Sequence, residues 1–184
     1  ENIVYALPAS EKQFTGMLPS GTCVKIPKDM VFGVHWDNVP HHRIDLDLSL
    51  LGIDEKYGWD GSYRDEDRTI LFSGDVTDAP KPNGASELFY VKKQEENALL
   101  MLVNYYNFDK EVEVPIKIFA AHEAITDMKQ NYIVDSNNVI ATAQSKINQQ
   151  QKILGIIITT PDECRFYFSE TNIGTSITSS MNYT

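Results

Sequence analysis

Two aspartates, Asp45 and Asp47, interrupt the apolar run of Ile44, Leu46, Leu48 and Leu50 in the stretch HHRIDLDLSLLGID (41–54). Further along, SGDVTDAPKPNGASE (73–87) supplies Asp75, Asp78, Asn83 and Glu87, with Gly74 and Gly84 able to turn sharply and Pro80 and Pro82 stiffening the loop. Carboxylates and amides gathered in this way are donors for a hard cation, and calcium takes six to eight such oxygens in a flexible arrangement. Magnesium ranks second, because it demands a tighter octahedron and usually a phosphate partner. On a strand, Asp45, Asp47 and Ser49 share one face while Ile44, Leu46, Leu48 and Leu50 line the other. The two aspartates then stand about 7 Å apart along that face. If the face is solvent they need no partner; if the acidic loop closes over it, something positive must sit there.

Other chemistries are weaker. His41 shares the parity of Asp45 and could join a zinc or manganese site, whereas His42 points away. His35 and His122 fit better as packing partners of Trp36 and Phe119. The acidic run DEDRT (65–69) fails as an EF-hand loop, because Ile70 stands where the sixth position requires glycine. No Gly-x-Ser-x-Gly elbow precedes a helix, and no flavin or nicotinamide glycine fingerprint occurs, so a non-catalytic protein is expected. Tyr57, Trp59 and Tyr63 in EKYGWDGSY (55–63) read either as a structural turn cluster or as an exposed aromatic platform for a sugar or peptide.

The elements that position these residues are strands. GTCVKIPKDMVFGVHW alternates around Val24 and Ile26, breaks at Pro27 and resumes with Met30, Phe32 and Val34. RIDLDLSLLGI alternates as far as Leu50, TILFSG is a short strand, and LFYVKK and the apolar ALLMLVNYYNF follow, the latter as a central strand. Pro115 in VEVPIKIFAAHEAI implies an edge or a bulge. YIVDSNNVIATA reads as a hairpin around residues 136–138, and KILGIIITTPDECRFYFSE as two strands about a turn at Pro161. Only SEKQF and KINQQQK could supply a helical turn or two. Many short strands at close spacing predict an all-β, two-sheet β-sandwich with short helical turns, with a closed barrel as runner-up.

At 184 residues the chain suits one domain, and its 42% hydrophobic content holds no apolar run long enough to span a bilayer. Residues 1–22 read as a lead-in, 23–170 as the domain and 171–184 as a polar tail, whose NYT matches a glycosylation acceptor by pattern only. The net charge of −10 argues against a nucleic-acid surface and favours a cation. Between Asp37 and Glu87 twelve acids face five bases, so this segment carries most of that charge. Cys23 and Cys164 match no metal or redox spacing and are expected as buried thiols. With ENIVYALPAS lacking the basic start and apolar core of a signal peptide, a reducing, cytoplasmic location is expected.

The runs GVHWD (33–37), RIDLDLSLLGID (43–54), SGDVTDAPKPNGASE (73–87) and ALLMLVNYYN (98–107) resemble the TerD domain family of tellurium-resistance and general stress proteins. The similarity spans roughly residues 24 to 170. It implies a calcium-binding, non-catalytic stress-response β-sandwich whose ion joins the Asp-Leu-Asp strand to the acidic loop and organises a surface for partner proteins of a stress-response complex. Carried over, it nominates Asp45, Asp47 and Asp75, with Glu87 closing the loop. Family members have a Gly- and Asp-rich run after the Gly-Asp turn, whereas this loop offers only Asp78, so one calcium is expected and not a second. The Ala-Pro-x-Pro-x-Gly-Ala-Ser-Glu form resembles a divergent branch found inside longer multidomain proteins. The competing class is a recognition sandwich, carbohydrate-binding or virion-type, with structural calcium and the aromatic loop 57–63 as its contact.

Overall fold

Alternating apolar residues can bury one face of a strand only against another layer, and two layers are what form. The computed structural model describes residues 4–5, 14–16, 21–26, 29–92, 95–125 and 127–172. In chain order the strands are β1 (Val4–Tyr5), β2 (Phe14–Gly16), β3 (Cys23–Ile26), β4 (Met30–Trp36), β5 (Leu46–Leu51), β6 (Lys56–Tyr57) and β7 (Ile70–Phe72). There follow β8 (Ala85–Val91), β9 (Asn97–Tyr105), β10 (Val114–His122), β11 (Val139–Ile147), β12 (Gln151–Thr159) and β13 (Cys164–Asn172). One sheet runs β1-β3-β13-β12-β9-β5-β6, the other β2-β11-β10-β4-β8-β7. The fold is thus the expected β-sandwich and not a closed barrel. Pairing is antiparallel except where β1 and β2 dock parallel on β3 and β11, so the lead-in contributes an edge strand to each sheet. Among the described residues no helix is long and apolar enough to cross a membrane.

The inward row of β4 (Met30, Phe32, Val34, Trp36) meets that of β5 (Leu46, Leu48, Leu50) in one core. Phe32 stacks on Phe89 in its own sheet and on Phe166 across the sandwich, at centroid distances of 6.1 and 6.2 Å. Each such side chain contributes roughly 1.5–3 kcal/mol when fully buried. Cys23 and Cys164 are free, buried thiols, and burial pushes Cys164 up to about 11. A smaller second core forms outside the six-stranded sheet, where Ile125 and its neighbours pack on Val31, Leu71, Leu88, Tyr90 and Ala121.

Three local expectations change. The strand holding Pro115 is interior, between β11 and β4; the proline fits because it lies near the strand start, before pairing with β4 begins at Ile116. The segment before Ser136 is not a strand: Asp135 caps a 3-10 turn at Ser136–Asn138 that leads into β11, so the hairpin is β10 to β11 with a long connection. KINQQQK forms no helix, since β11 ends at Ile147 and β12 starts at Gln151. SEKQF lies outside the described residues up to Phe14, which opens β2, as does the tail beyond Asn172.

Candidate metal centre

The turn after β4 delivers the first aspartate. Trp36 Nε1 donates to the Ile44 carbonyl (3.0 Å), while Asn38 Oδ1 accepts from the backbone of Ile44 (2.8 Å) and of Ala79 (3.2 Å). Asn107 holds the other side, its Oδ1 accepting from Asp45 N (3.0 Å) and its Nδ2 donating to the Arg43 carbonyl (2.6 Å). Asp45 is therefore fixed through its own backbone, and the alternation of β5 carries Asp47 and Ser49 to the same face.

That face is not solvent. Asp45 is 4% exposed, Asp47 3% and Ser49 fully buried. Gly58 lies against β5: a Cβ there would fall 3.1 Å from both the Leu48 carbonyl and Ser49 Oγ, and its φ of +143° suits glycine. From the other side comes the loop after β7. Oxygens of Asp45, Asp47 and Asp75 all lie within 4.8 Å of one another, the one such acidic group among the described residues. Asp45 Oδ1, Ser49 Oγ and Asp75 Oδ1 are buried without a hydrogen-bond partner, a state that normally costs free energy.

The electrostatics follow from that crowding. Burial, then the charge of Asp75, push the Asp45 carboxyl up to about 6 against the pull of Arg43. Asp47 is pushed up to about 7 by burial, by Asp45 and by Asp75, which also shares a hydrogen bond with it. Arg43 is spent partly elsewhere, donating to the Thr77 carbonyl (2.8 Å). One guanidinium against three carboxylates leaves the cluster short of positive charge.

Glu87 is fully buried on the inward row of β8. Its Oε2 accepts from Leu48 N (2.8 Å) and its Oε1 from Val76 N (2.9 Å). Pairing with β6 covers only Leu50 and Leu51, so the Leu48 donor is open, and Glu87 ties β5, β8 and the Asp75 loop together. Burial pushes its carboxyl up to about 9 despite these two donors. Glu87 thus positions the centre, and both its oxygens are engaged away from the triad.

The structure corrects other nominations. Asp78 is turned to Asn38, whose Nδ2 donates to its Oδ1 (2.7 Å). Asn83 offers its carbonyl to His35 Nε2 (2.9 Å) and lines a cleft on the opposite sheet. Neither joins the triad. His41 is exposed, with φ of 67°, and lies outside the cluster. Tyr57 is buried, its hydroxyl donating to Glu55 (2.6 Å), so it is not a ligand contact. Trp59 and Tyr63 are exposed, the first edge-on to Tyr106 (5.8 Å) and the second to Phe72 (5.2 Å). Asn38, Asn107 and Gln130, which donates to the Asp75 carbonyl, were not foreseeable, since an isolated amide in a turn carries no mark of its distant partner.

No protein-family model matches the chain, and no curated protein matches it. Among solved structures it resembles one described as "Crystal structure of unknown function protein SAV2460", with a TM-score of 0.54 and 14% identity over 80% of this chain and 91% of that one. At that identity the likeness carries the fold alone.

Proposed function

We propose that the protein is a calcium-binding, non-catalytic module in which the ion joins the Asp45/Asp47 strand to the 73–87 loop and so organises a surface for protein partners. The observation that carries this is the buried Asp45–Asp47–Asp75 triad with unpartnered oxygens. Oxygens bound to one calcium at roughly 2.3–2.6 Å can stand no more than about 5 Å apart, and the triad meets that limit. Its donors are all oxygen, which suits a hard cation over zinc. Asp45, Asp47 and Asp75 would hold the ion; calcium there would supply the charge that Arg43 does not. The stress-response role rests on the motif resemblance to TerD domains, and the cytoplasmic setting on the isolated, buried thiols of Cys23 and Cys164.

A recognition role for the same face is favoured by one observation. Trp59 and Tyr106 form an exposed pair beside the centre, and Tyr106 N donates to the Asp45 carbonyl (2.9 Å). Calcium would then support a contact surface for a sugar or peptide.

Calorimetric titration of the metal-stripped protein with calcium, using magnesium as control, tests the first reading. Calcium-selective binding with a stoichiometry near one supports it, as does its loss in the Asp45→Asn/Asp47→Asn double variant. No heat up to the millimolar range sinks it. Loss of partner binding on Trp59→Ala with calcium binding intact selects the second reading.

A further inference from the structure

Outside the six-stranded sheet, the 123–138 connection covers only part of the outward face. Ile125, Met128, Tyr132 and Val134 pack on Val31, Leu88, Tyr90 and Ala121. Beyond them the sheet presents Phe119 and Thr142 of one cross-strand row and Ser86, His35 and Lys117 of the next. A cleft of about 520 Å³ opens over them, within the range of roughly 300–1,000 Å³ that holds small ligands.

Its floor is built by an absence of side chain. A Cβ on Gly33 would fall 2.7 Å from Leu88 Cβ and 2.9 Å from Phe119 Cζ, so the Phe119 ring lies where only glycine allows it. The wall is held in place: Asn131 adopts φ of 55° and its Oδ1 accepts from Ser86 N (2.9 Å). At the rim Ile133 is 88% exposed, an apolar side chain that gains nothing from water.

Among the described residues the polar side carries one cation, Lys117. His35 donates from Nε2 to the Asn83 carbonyl and so fixes the edge of the cleft. Lys117 stands beside it in register and, among the described residues, makes no ion pair, although the chain has 26 acidic residues to 16 basic. Two acids of the connection are engaged with their own loop, while Asp37 lies on the His35 side, where a Cβ on Gly84 would fall 2.4 Å from Asp37 Oδ1 and 2.8 Å from His35 Cε1. Glu123 accepts from the Tyr132 hydroxyl and from Asp135 N (3.0 Å), and Asp135 accepts from Asn137 N (2.9 Å).

We propose that this cleft binds a small organic carboxylate with an apolar, ring-sized body. The body lies on Phe119 against Ile133 and Val134, and the carboxylate meets Lys117. The site lies on the outward face of the other sheet and uses none of the three carboxylates of the metal centre.

The test is a titration of the ¹⁵N-labelled full chain with indole-3-acetate, followed by amide chemical shifts, with indole-3-acetamide as the neutral control. Saturable shifts at Gly33, His35, Ser86, Lys117 and Ile133 are expected. Replacing the carboxylate by the amide, or Lys117 by Gln, removes a charge-assisted contact and weakens binding by about tenfold. Lys117 is exposed, so Lys117→Gln should keep the native spectrum. Absence of saturable shifts at millimolar probe, shifts confined to another face, or equal affinity for the acid and the amide would each overturn the proposal.

Discussion

Asp47→Asn should have opposite effects with and without calcium. Asp47 is buried, and its carboxyl is moved from 3.8 to about 7 by burial and by Asp45 and Asp75. At pH 8 the fold therefore ionises this group at a cost of up to roughly 4 kcal/mol, taking about 1.36 kcal/mol per pH unit. Asparagine is nearly isosteric and uncharged, but its buried N–H₂ needs a partner, which takes back about 1–3 kcal/mol. A net gain of about 2 kcal/mol in the metal-free protein is expected, or about 4–8 °C in Tm for a chain of this size. Calcium at a thousandfold over Kd should stabilise the parent protein by about 4.1 kcal/mol and the variant not at all. The parent should then be the more stable by about 2 kcal/mol. Thermal denaturation of both proteins at pH 8, in chelator and in calcium, reads all four values. If the variant is less stable in chelator, or keeps the calcium gain, the three carboxylates do not form a charge-starved cation site.

Two further outcomes follow from the same geometry. Asp45, Asp47 and Glu87 are all raised, to about 6, 7 and 9, so the metal-free native state holds more protons than the unfolded chain. Its stability should be greatest near pH 4–5 and fall as pH rises through 6 to 9, while saturating calcium should flatten or reverse that slope; denaturant midpoints across this range measure it, and a metal-free optimum above pH 8 would contradict the burial of these groups. Glu87→Ala leaves the Leu48 and Val76 donors unmatched in a buried setting and should cost about 2–5 kcal/mol by chemical denaturation, with weaker calcium binding because the Asp75 loop is released; an effect below about 0.5 kcal/mol would remove Glu87 as the tie between the sheets.

Alternation in RIDLDLSLLGID determined, without any structure, that Asp45, Asp47 and Ser49 share a face opposite Leu46, Leu48 and Leu50, because the two-residue period of a strand is a local property of the backbone. The many short strands at close spacing pointed to a two-layer sandwich, with a closed barrel as runner-up that only the sheet pairing excluded. What lies over a face is not local. Only the tertiary structure decided that Gly58 and the Asp75 loop bury the aspartates, that Asp78 meets Asn38 and Asn83 meets His35 and not the triad, and that Tyr57 points into the core while Trp59 stays out. The inward parity of β8 sends Glu87 between the sheets, where it meets an open Leu48 donor that exists because β6 is two residues long. Pro115 reads as an edge signal because its missing donor is visible in sequence, whereas the register that makes the loss harmless is set by where β4 ends. The cleft at Lys117 and His35 has no sequence signature, since it is formed by the distance at which the 123–138 connection stops covering the sheet. Periodicity assigns side chains to faces, and long-range pairing assigns faces to partners.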